Sequence, residues 1–342
     1  MVLEELTRLT GVSGAEGPVR DYIMEKARPL CDQMWVDRMG NLLCRVEGRD
    51  PQAGLALVLA HMDEVGLMVQ GINDDGLISY QCVGGIDPRV LVSKRVRVGE
   101  KGIPGVIGAK AIHLQSREER QKPLTHKELY VDIGCKHKES AQKLVNPGDI
   151  MGFEPGWTAY GQGFVMSKAL DDRVGCYNML RLMEERYPVS VVYAFTVQEE
   201  VGLRGAQVVA QQFSPRCALV LEGTTANDLG CVPAHQQVCR AGAGVAISFM
   251  DRTSIAHPAL ARALRRTAQR CAIPWQFKTF VSGGNDAGQV QNAKGAVAVC
   301  PLSVPCRYIH SPSSACNLAD VEAQYDLAHR FLLDGAPFEE EG

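Results

Sequence analysis

The feature that most constrains the fold is a series of short apolar runs separated by amphipathic segments in the second half of the chain. The runs VSVVYAFTV (189–197) and CALVLEG (217–223) lack polar alternation, which is typical of strands buried on both faces. The segment before the first run, DDRVGCYNMLRLMEERY (171–187), has the apolar spacing of a helix. This repetition predicts an α/β fold, a mostly parallel sheet flanked by helices, with ligands bound beyond the carboxyl ends of the strands.

A different pattern occupies residues 67–163. Short segments such as KRVRVGE alternate between polar and apolar residues and are separated by GG, DP and NPGD turns, which indicates small antiparallel strands. The buried strand LALVLAH (55–61) precedes this stretch. We therefore predict a small β-barrel-like domain, 67–163, inserted into an α/β domain that comprises residues 1–66 and 164–342.

Charge and composition exclude several classes of partner. The 36 basic and 39 acidic residues are interspersed and give a net charge of −3, so no basic stripe is present to bind nucleic acid or an anionic membrane. The N-terminus resembles no secretory signal, and no apolar run is long enough to span a bilayer. Twelve scattered cysteines without a CxxC pair fit reduced, buried thiols. We expect a cytoplasmic protein.

Acidic residues and histidines fall where predicted strands of the sheet end. They are HMD at 61–63, EE at 199–200, Glu222 and His310. One such histidine alone is more often structural, but four segments that converge on one sheet edge predict a site. The chain has no GxSxG elbow, GxxxxGK[ST] loop, HExxH helix or GxGxxG fingerprint, which argues against serine hydrolases, NTPases, thermolysin-like enzymes and dinucleotide enzymes.

Seven motifs, in this order, carry a resemblance to a known family. They are AHMDEVG (60–66), GVIGAKAIHL (105–114), SKALDDRVG (167–175), TVQEEVGLRGA (196–206), LVLEGTTAND (219–228), SGGNDAG (282–288) and RYIHSP (307–312). The chain resembles the glutamyl and leucyl aminopeptidases that use two metal ions and assemble into tetrahedral particles. The motifs span nearly the whole chain, so the resemblance covers both predicted domains.

The resemblance implies two divalent metal ions per subunit, Zn²⁺ or Co²⁺. Asp171 would bridge them, one ion would be completed by His61 and Glu222, and the other by Glu200 and His310. Imidazole and carboxylate ligands suit these metals, and three protein ligands leave a position open for water.

Two further roles concern the acids beside these ligands. The resemblance gives Glu199 to proton transfer as general base, because adjacent side chains at a strand end point in different directions. Asp63, two residues after His61, is the expected partner that orients the imidazole. The resemblance also implies a cis peptide bond between Asp171 and Asp172.

Two positions depart from the family pattern, since many members have aspartate where Glu222 stands and threonine where Asn285 stands. Asn285 lies in the stretch that lines the pocket for the first residue of the substrate, so the inherited substrate preference is open. The ligand set alone also leaves open a deacylase or carboxypeptidase, or a silent scaffold whose metals only hold an oligomer together.

The resemblance favours an enzyme that removes N-terminal residues from short peptides. A spare base such as Glu199 argues against a purely structural metal site, which would be closed by a fourth ligand. The segment 67–163 supplies no predicted metal ligand, so we expect it to mediate dimerisation, with the dimers building a closed dodecamer.

Overall fold

The computed structural model describes residues 1–50, 52–281, 283–293 and 295–338. Ser282, the first residue of the SGGNDAG motif, lies outside the described residues. The strands of the first half are β1 (Gln33–Val36), β2 (Leu42–Val46), β3 (Leu55–His61), β4 (Gly66–Ile72), β5 (Ile78–Val83), β6 (Arg95–Val98), β7 (Ile103–Ala109), β8 (Leu129–Asp132) and β9 (Ile150–Phe153). Those of the second half are β10 (Trp157–Tyr160), β11 (Phe164–Ser167), β12 (Ser190–Thr196), β13 (Cys217–Thr225), β14 (Val245–Ser248), β15 (Trp275–Lys278), β16 (Ala298–Arg307) and β17 (Ser314–Asn317).

The helix predicted over 171–187 begins within one residue of its expected start and ends at Leu182. The helices are α1 (Val2–Arg8), α2 (Gly17–Ala27), α3 (Lys138–Gln142), α4 (Leu170–Leu182), α5 (Arg204–Val209), α6 (Pro258–Arg270), α7 (Ala287–Gln291) and α8 (Leu318–Leu333). Proline in the first turn starts α2 and α6, where a missing N–H costs nothing. Within the described part of the chain, no helix combines the length and apolar composition needed to cross a membrane.

Eleven strands form one large sheet, whose main path runs β1-β2-β12-β3-β13-β16-β17-β11-β10. Its centre, β12-β3-β13-β16, is parallel, whereas the strands at both margins pair antiparallel. The parallel register sets Thr196 on β12 beside His61 on β3. The carboxyl ends of the central strands therefore meet at one edge of the sheet.

Helices cover both faces of this sheet, because successive side chains of each strand point in opposite directions. On β3, Ala56, Val58 and Ala60 pack into a large core cluster with α2, α4, α6 and α8. Leu57 and Leu59 pack into a second cluster with α5 and α7. Near-continuous apolar strands are the sequence signature of this arrangement.

The remaining six strands close into a barrel in the order β4-β5-β8-β7-β6-β9. Its interior is a third core cluster that includes Leu67, Val96, Ile107 and Val131. β10 lies just beyond the barrel and pairs with β11 in the large sheet. The predicted fold class is confirmed: an α/β protein with a helix-flanked sheet, parallel at its centre, and a small β-barrel between its halves.

Candidate active site

The predicted site residues converge at the carboxyl edge of the central strands. His61 is the last residue of β3, and the pair Glu199 and Glu200 follows β12 by three residues. Glu222 lies inside β13, which runs on to Thr225 beside β16, so the prediction that it ends a strand was wrong. His310 lies in the loop between β16 and β17.

Asp171 occupies the centre of the cluster, at the start of α4. The peptide bond between Asp171 and Asp172 is cis, as the resemblance implies. Oδ1 of Asp171 lies 3.5 Å from Nε2 of His61, and Oδ2 of Asp171 lies 3.7 Å from Nε2 of His310. One carboxylate therefore faces two imidazoles, one with each oxygen, which is the arrangement required of a bridging ligand.

The two other acids complete the groups on either side of Asp171. Nε2 of His61 lies 3.8 Å from Oε2 of Glu222, and Nε2 of His310 lies 3.2 Å from Oε2 of Glu200. A tetrahedral ion with ligand bonds near 2.1 Å places neighbouring ligand atoms about 3.4 Å apart, so this spacing fits divalent metals.

Unsatisfied oxygen atoms give an independent test of that fit. Oδ1 of Asp171 and Oε1 of Glu222 are buried and have no hydrogen-bond partner. Buried polar atoms are normally satisfied, so these two oxygens are available to a cation. The structure thus brings the five predicted ligands into one cluster whose donor atoms suit metal ions.

Asp172 is a second candidate for the ligand role given to Asp171, because it also clusters with His61 and Glu222. Its oxygens, however, accept backbone N–H groups from His61 at 3.2 Å and from Gly175 at 3.0 Å. Asp172 therefore caps the helix and fixes the end of β3, and Asp171 has the freer carboxylate.

Asp63 lies beneath the ligands and is fully buried. Nδ1 of His61 is closer to the carbonyl oxygen of Asp63, at 3.1 Å, than to its carboxylate, at 3.5 Å. The carboxylate accepts the N–H groups of Glu199 at 3.0 Å and Glu200 at 3.2 Å, and the hydroxyl of Ser13 at 2.5 Å. Asp63 thus holds the glutamate pair in place as well as contacting the imidazole.

Burial dominates the electrostatics of the acids. It raises the pKa of Glu199, Glu200 and Glu222 well above the ordinary value, and neighbouring carboxylates add to the rise for each. Burial opposes the charging of His61, but Asp171 and Asp63 outweigh it and raise the pKa of that imidazole. A divalent cation would relieve this crowding of negative charge, since it favours the ionised acids and the neutral imidazole.

The structure contains a second cluster of buried charges, which the sequence did not predict. Nζ of Lys168 lies 2.7 Å and 2.8 Å from the two carboxylate oxygens of Glu64, and Nη2 of Arg173 lies 3.3 Å from one of them. Arg173 also donates to the carbonyl oxygens of Met62 and Leu6. These contacts tie the loop after β3 to the loop before α4, and so fix His61 relative to Asp171. Lys168 and Arg173 flank the ALDD motif, which was the available signal.

A cavity of about 330 Å³ adjoins the cluster and is lined by Glu199, Glu222 and Lys278, among others. Asn285 also lines it, but the side chain of Asn285 is engaged elsewhere. Its Nδ2 donates to Asp251 at 3.2 Å, and its Oδ1 accepts the N–H of Ala287 at 3.0 Å. Asn285 therefore fixes the wall of the cavity through contacts within the protein.

Residues 40–327 match the M42 glutamyl aminopeptidase family. The chain belongs to that family. It is 32% identical to a glutamyl aminopeptidase of Lactococcus lactis over 93% of this chain and 91% of the relative. An aminopeptidase of the archaeon Desulfurococcus kamchatkensis has the same fold, with a TM-score of 0.92 and 36% identity over 97% of this chain and 93% of the other. The TET1 peptidase of Pyrococcus horikoshii matches with a TM-score of 0.87 and 32% identity, over 97% and 98% of the two chains.

These matches confirm the resemblance drawn from the motifs. M42 aminopeptidases are hydrolases that act on peptide bonds, and membership implies a divalent-metal-dependent enzyme. Among the residues that the structure describes, the cluster around Asp171 has donor atoms that can hold such ions.

Proposed function

We propose that this M42 aminopeptidase uses two divalent ions, Zn²⁺ or Co²⁺, to remove the first residue of short peptides. The observation that carries the proposal is the carboxylate of Asp171, which offers one oxygen to His61 and the other to His310. One ion would be held by His61, Asp171 and Glu222, and the other by Asp171, Glu200 and His310. Bound there, the ions would acidify a shared water and polarise the scissile carbonyl group.

Glu199 is the general base in this proposal. It is buried beside the cluster, and its backbone N–H is fixed by Asp63 at 3.0 Å. Its raised pKa suits a group that takes a proton from the attacking water and later delivers it to the leaving amine. Asp63 supports both acids of the pair through their backbone, so it acts as a positioning residue.

The preferred first residue follows from the cavity beside the cluster. Asp171, Glu199 and Glu222 mark the metal end of this cavity, where one ion and an acidic group would bind the α-amine of the peptide. Lys278 contributes a positive charge to the same lining and is only 6% exposed. We therefore expect neutral or acidic first residues to be cleaved better than basic or bulky aromatic ones.

A panel of aminoacyl p-nitroanilides tests activity, metal and pocket together. The substrates are assayed with metal-stripped enzyme that is resupplied with Zn²⁺, Co²⁺ or Mn²⁺, and N-acetyl amino acids are the control for a deacylase. Cleavage of the anilides alone supports the proposal, whereas cleavage of the acetylated compounds alone contradicts it. A strong preference for lysyl or arginyl anilides would contradict the expected pocket.

Lys278→Met sharpens the test of the pocket. We expect this change to lower kcat/KM for the glutamyl anilide more than for the alanyl anilide, because only the former places a carboxylate near residue 278. An equal loss on both substrates would assign Lys278 a structural role.

The barrel segment, 67–163, is proposed as the part that mediates dimerisation. It carries Ile112 and Leu114, which are 69% and 64% exposed, whereas side chains of this type are normally buried. The relative from Pyrococcus horikoshii is described as assembling into a tetrahedron or a large octahedral shell. We propose a dimer through this segment and a closed dodecamer built from dimers.

Light scattering on the purified protein tests the assembly. A mass near that of one 37.2 kDa chain would contradict it at every level. A dimer would retain the first step and reject the dodecamer, and rapid hydrolysis of an intact folded protein would reject an enclosed chamber. For the compartment we propose the cytoplasm, which is supported by twelve cysteines that are all free thiols.

A further inference from the structure

A second cavity lies on the other side of His310 from the substrate cavity. Its volume is about 380 Å³, and it lies between the barrel residues Asp87, Val90 and Lys94 and the loop 308–313. Ile309 and His310 line both cavities, so the two are separated only by the loop that carries this imidazole. A peptide whose first residue fills the first cavity would continue into the second.

The second cavity continues further along the barrel. A neighbouring cavity of about 250 Å³ shares Lys94, Pro312 and Ser313 with it and extends to Arg95 and Thr158. Together the two cavities form a cleft between the barrel and the loop 308–313, which we call the barrel cleft. Its walls therefore come from both the large sheet and the barrel.

The loop that forms one wall has a defined conformation. Tyr308 and His310 have φ angles of 60° and 55°, in the left-handed region that non-glycine residues rarely adopt. Residues held in this region cluster at ligand-binding sites. The hydroxyl of Ser311 donates to the carbonyl oxygen of Tyr308 at 2.6 Å and closes the turn. The wall is thus built in advance of any ligand.

Lys94 gives the barrel cleft a positive charge, since the two acids that line the cleft, Asp87 and Glu154, each pair with an arginine. Lys94 is exposed and lines both of its cavities, and no ion pair of Lys94 is found among the described residues. The acid that lines the same cavity, Asp87, is engaged by Arg89, whose Nε lies 3.0 Å and 2.9 Å from its two oxygens. The positive charge at residue 94 therefore faces the cleft uncompensated by Asp87.

We propose that the barrel cleft binds the residues that follow the scissile bond, and that Lys94 pairs with the C-terminal carboxylate of a short peptide. This inference rests on the proposed function. In the proposed reaction the amino end of the peptide lies at the metal cluster, and the barrel cleft presents the ammonium group of Lys94 to the carboxylate at the other end. This polarity orients the substrate and favours peptides whose free C-terminus reaches Lys94.

The test compares matched substrates in which only the terminal charge differs. They are a tripeptide with a free carboxylate, the same tripeptide amide, and the p-nitroanilide of the same first residue, chosen as the one cleaved fastest in the panel. Wild type, Lys94→Met and Lys94→Glu are assayed on all three. Lys101→Met is the control, because Lys101 is also exposed in the barrel but lines neither cavity.

We expect Lys94→Met to raise KM for the free tripeptide roughly 3- to 10-fold, the range of a partly exposed charge-assisted contact, with kcat nearly unchanged. Lys94→Glu should raise it further, and added salt should reduce the difference between these enzymes. The amide, the anilide and the Lys101→Met control should change less than twofold.

Two results would overturn the inference. If Lys94→Met changed KM equally for the free tripeptide and its amide, Lys94 would not recognise the terminal carboxylate. The absence of any change in KM would lead to the same conclusion. Wild-type cleavage of the anilide would leave the proposed function standing in either case. If wild type cleaves none of the three substrates, the proposed function fails and the inference fails with it.

Discussion

The metal cluster and the barrel follow opposite rules for charge. The buried side chains of the barrel segment, 67–163, are all apolar apart from the hydroxyl of Tyr80, and its charged residues lie at the surface. The edge of the large sheet instead buries Asp63, Asp172, Glu199 and Glu222, and leaves oxygen atoms without donors. Apolar burial stabilises the barrel by itself, whereas the sheet edge holds carboxylates whose charge is unfavourable until a cation binds or a proton neutralises it. Stability and chemistry are therefore separated in this chain.

The largest effect is expected from removing a buried ligand. His61→Ala should lose metal and lower kcat/KM roughly 10⁴-fold or more, because no metal ion would remain there to acidify the attacking water. Elemental analysis and anilide hydrolysis measure both. His235→Ala, an exposed histidine away from the cluster, is the control. Two metal ions per chain in His61→Ala would refute the ligand set.

The next effect separates the chemistry from metal binding. Glu199→Gln should keep the metal content and lower kcat roughly 10²–10⁴-fold, the usual scale of a lost general base. Glu184→Gln, which changes an exposed glutamate two residues after α4, should leave kcat unchanged. Near-normal activity of Glu199→Gln would remove the general-base role from this residue.

The interior of the barrel should respond in stability alone. Ile107→Ala removes a side chain that is 1% exposed in the barrel interior, and should lower the free energy of unfolding by about 2–5 kcal/mol. The neighbouring Val106→Ala, whose side chain is 41% exposed, should change it by less than about 0.5 kcal/mol. Urea denaturation measures both, and metal content should stay unchanged. Loss of metal in Ile107→Ala would break the separation between the two regions.

The smallest effect concerns the pH dependence of the metal-stripped protein. The raised pKa values of Glu199, Glu200, Glu222 and His61 mean that the folded chain binds more protons than the unfolded chain above about pH 4.3. The free energy of unfolding should therefore fall as the pH rises from about 4.3 through the raised pKa values of these groups. Thermal denaturation at pH 5 and pH 8 tests this, and added Zn²⁺ should remove most of the difference. A stripped protein that becomes more stable at pH 8 would contradict the assignment.

Patterns within single segments were sufficient to predict the main elements of the fold. The alternation in 67–163 predicts the barrel, and the apolar runs predict the central strands. The end of β13 was not predictable, because Glu222 continues in the strand only through its pairing with β16. In the sequence Glu222 is a polar residue after an apolar run. Whether the strand continues beyond it depends on pairing with β16, where Glu222 lies opposite Ser303.

The supporting charges were harder to predict than the ligands. Glu64, Lys168 and Arg173 have the composition of surface residues, yet they form a buried group across separate segments. Their burial depends on pairing, and no local pattern identifies the partner. Asp63 was predicted as the partner of His61, but its contacts with the backbone of Glu199 and Glu200 depend on how two loops meet.

The unequal exposure of the two histidines has a consequence for metal supply. His61 is 1% exposed on a central strand, whereas His310 is 40% exposed on a loop. If each holds one ion as proposed, the ion beside His310 exchanges with solvent faster and leaves first at low metal concentration. The enzyme would then exist in a half-loaded form over a range of free metal. Its turnover would report how much metal its surroundings offer.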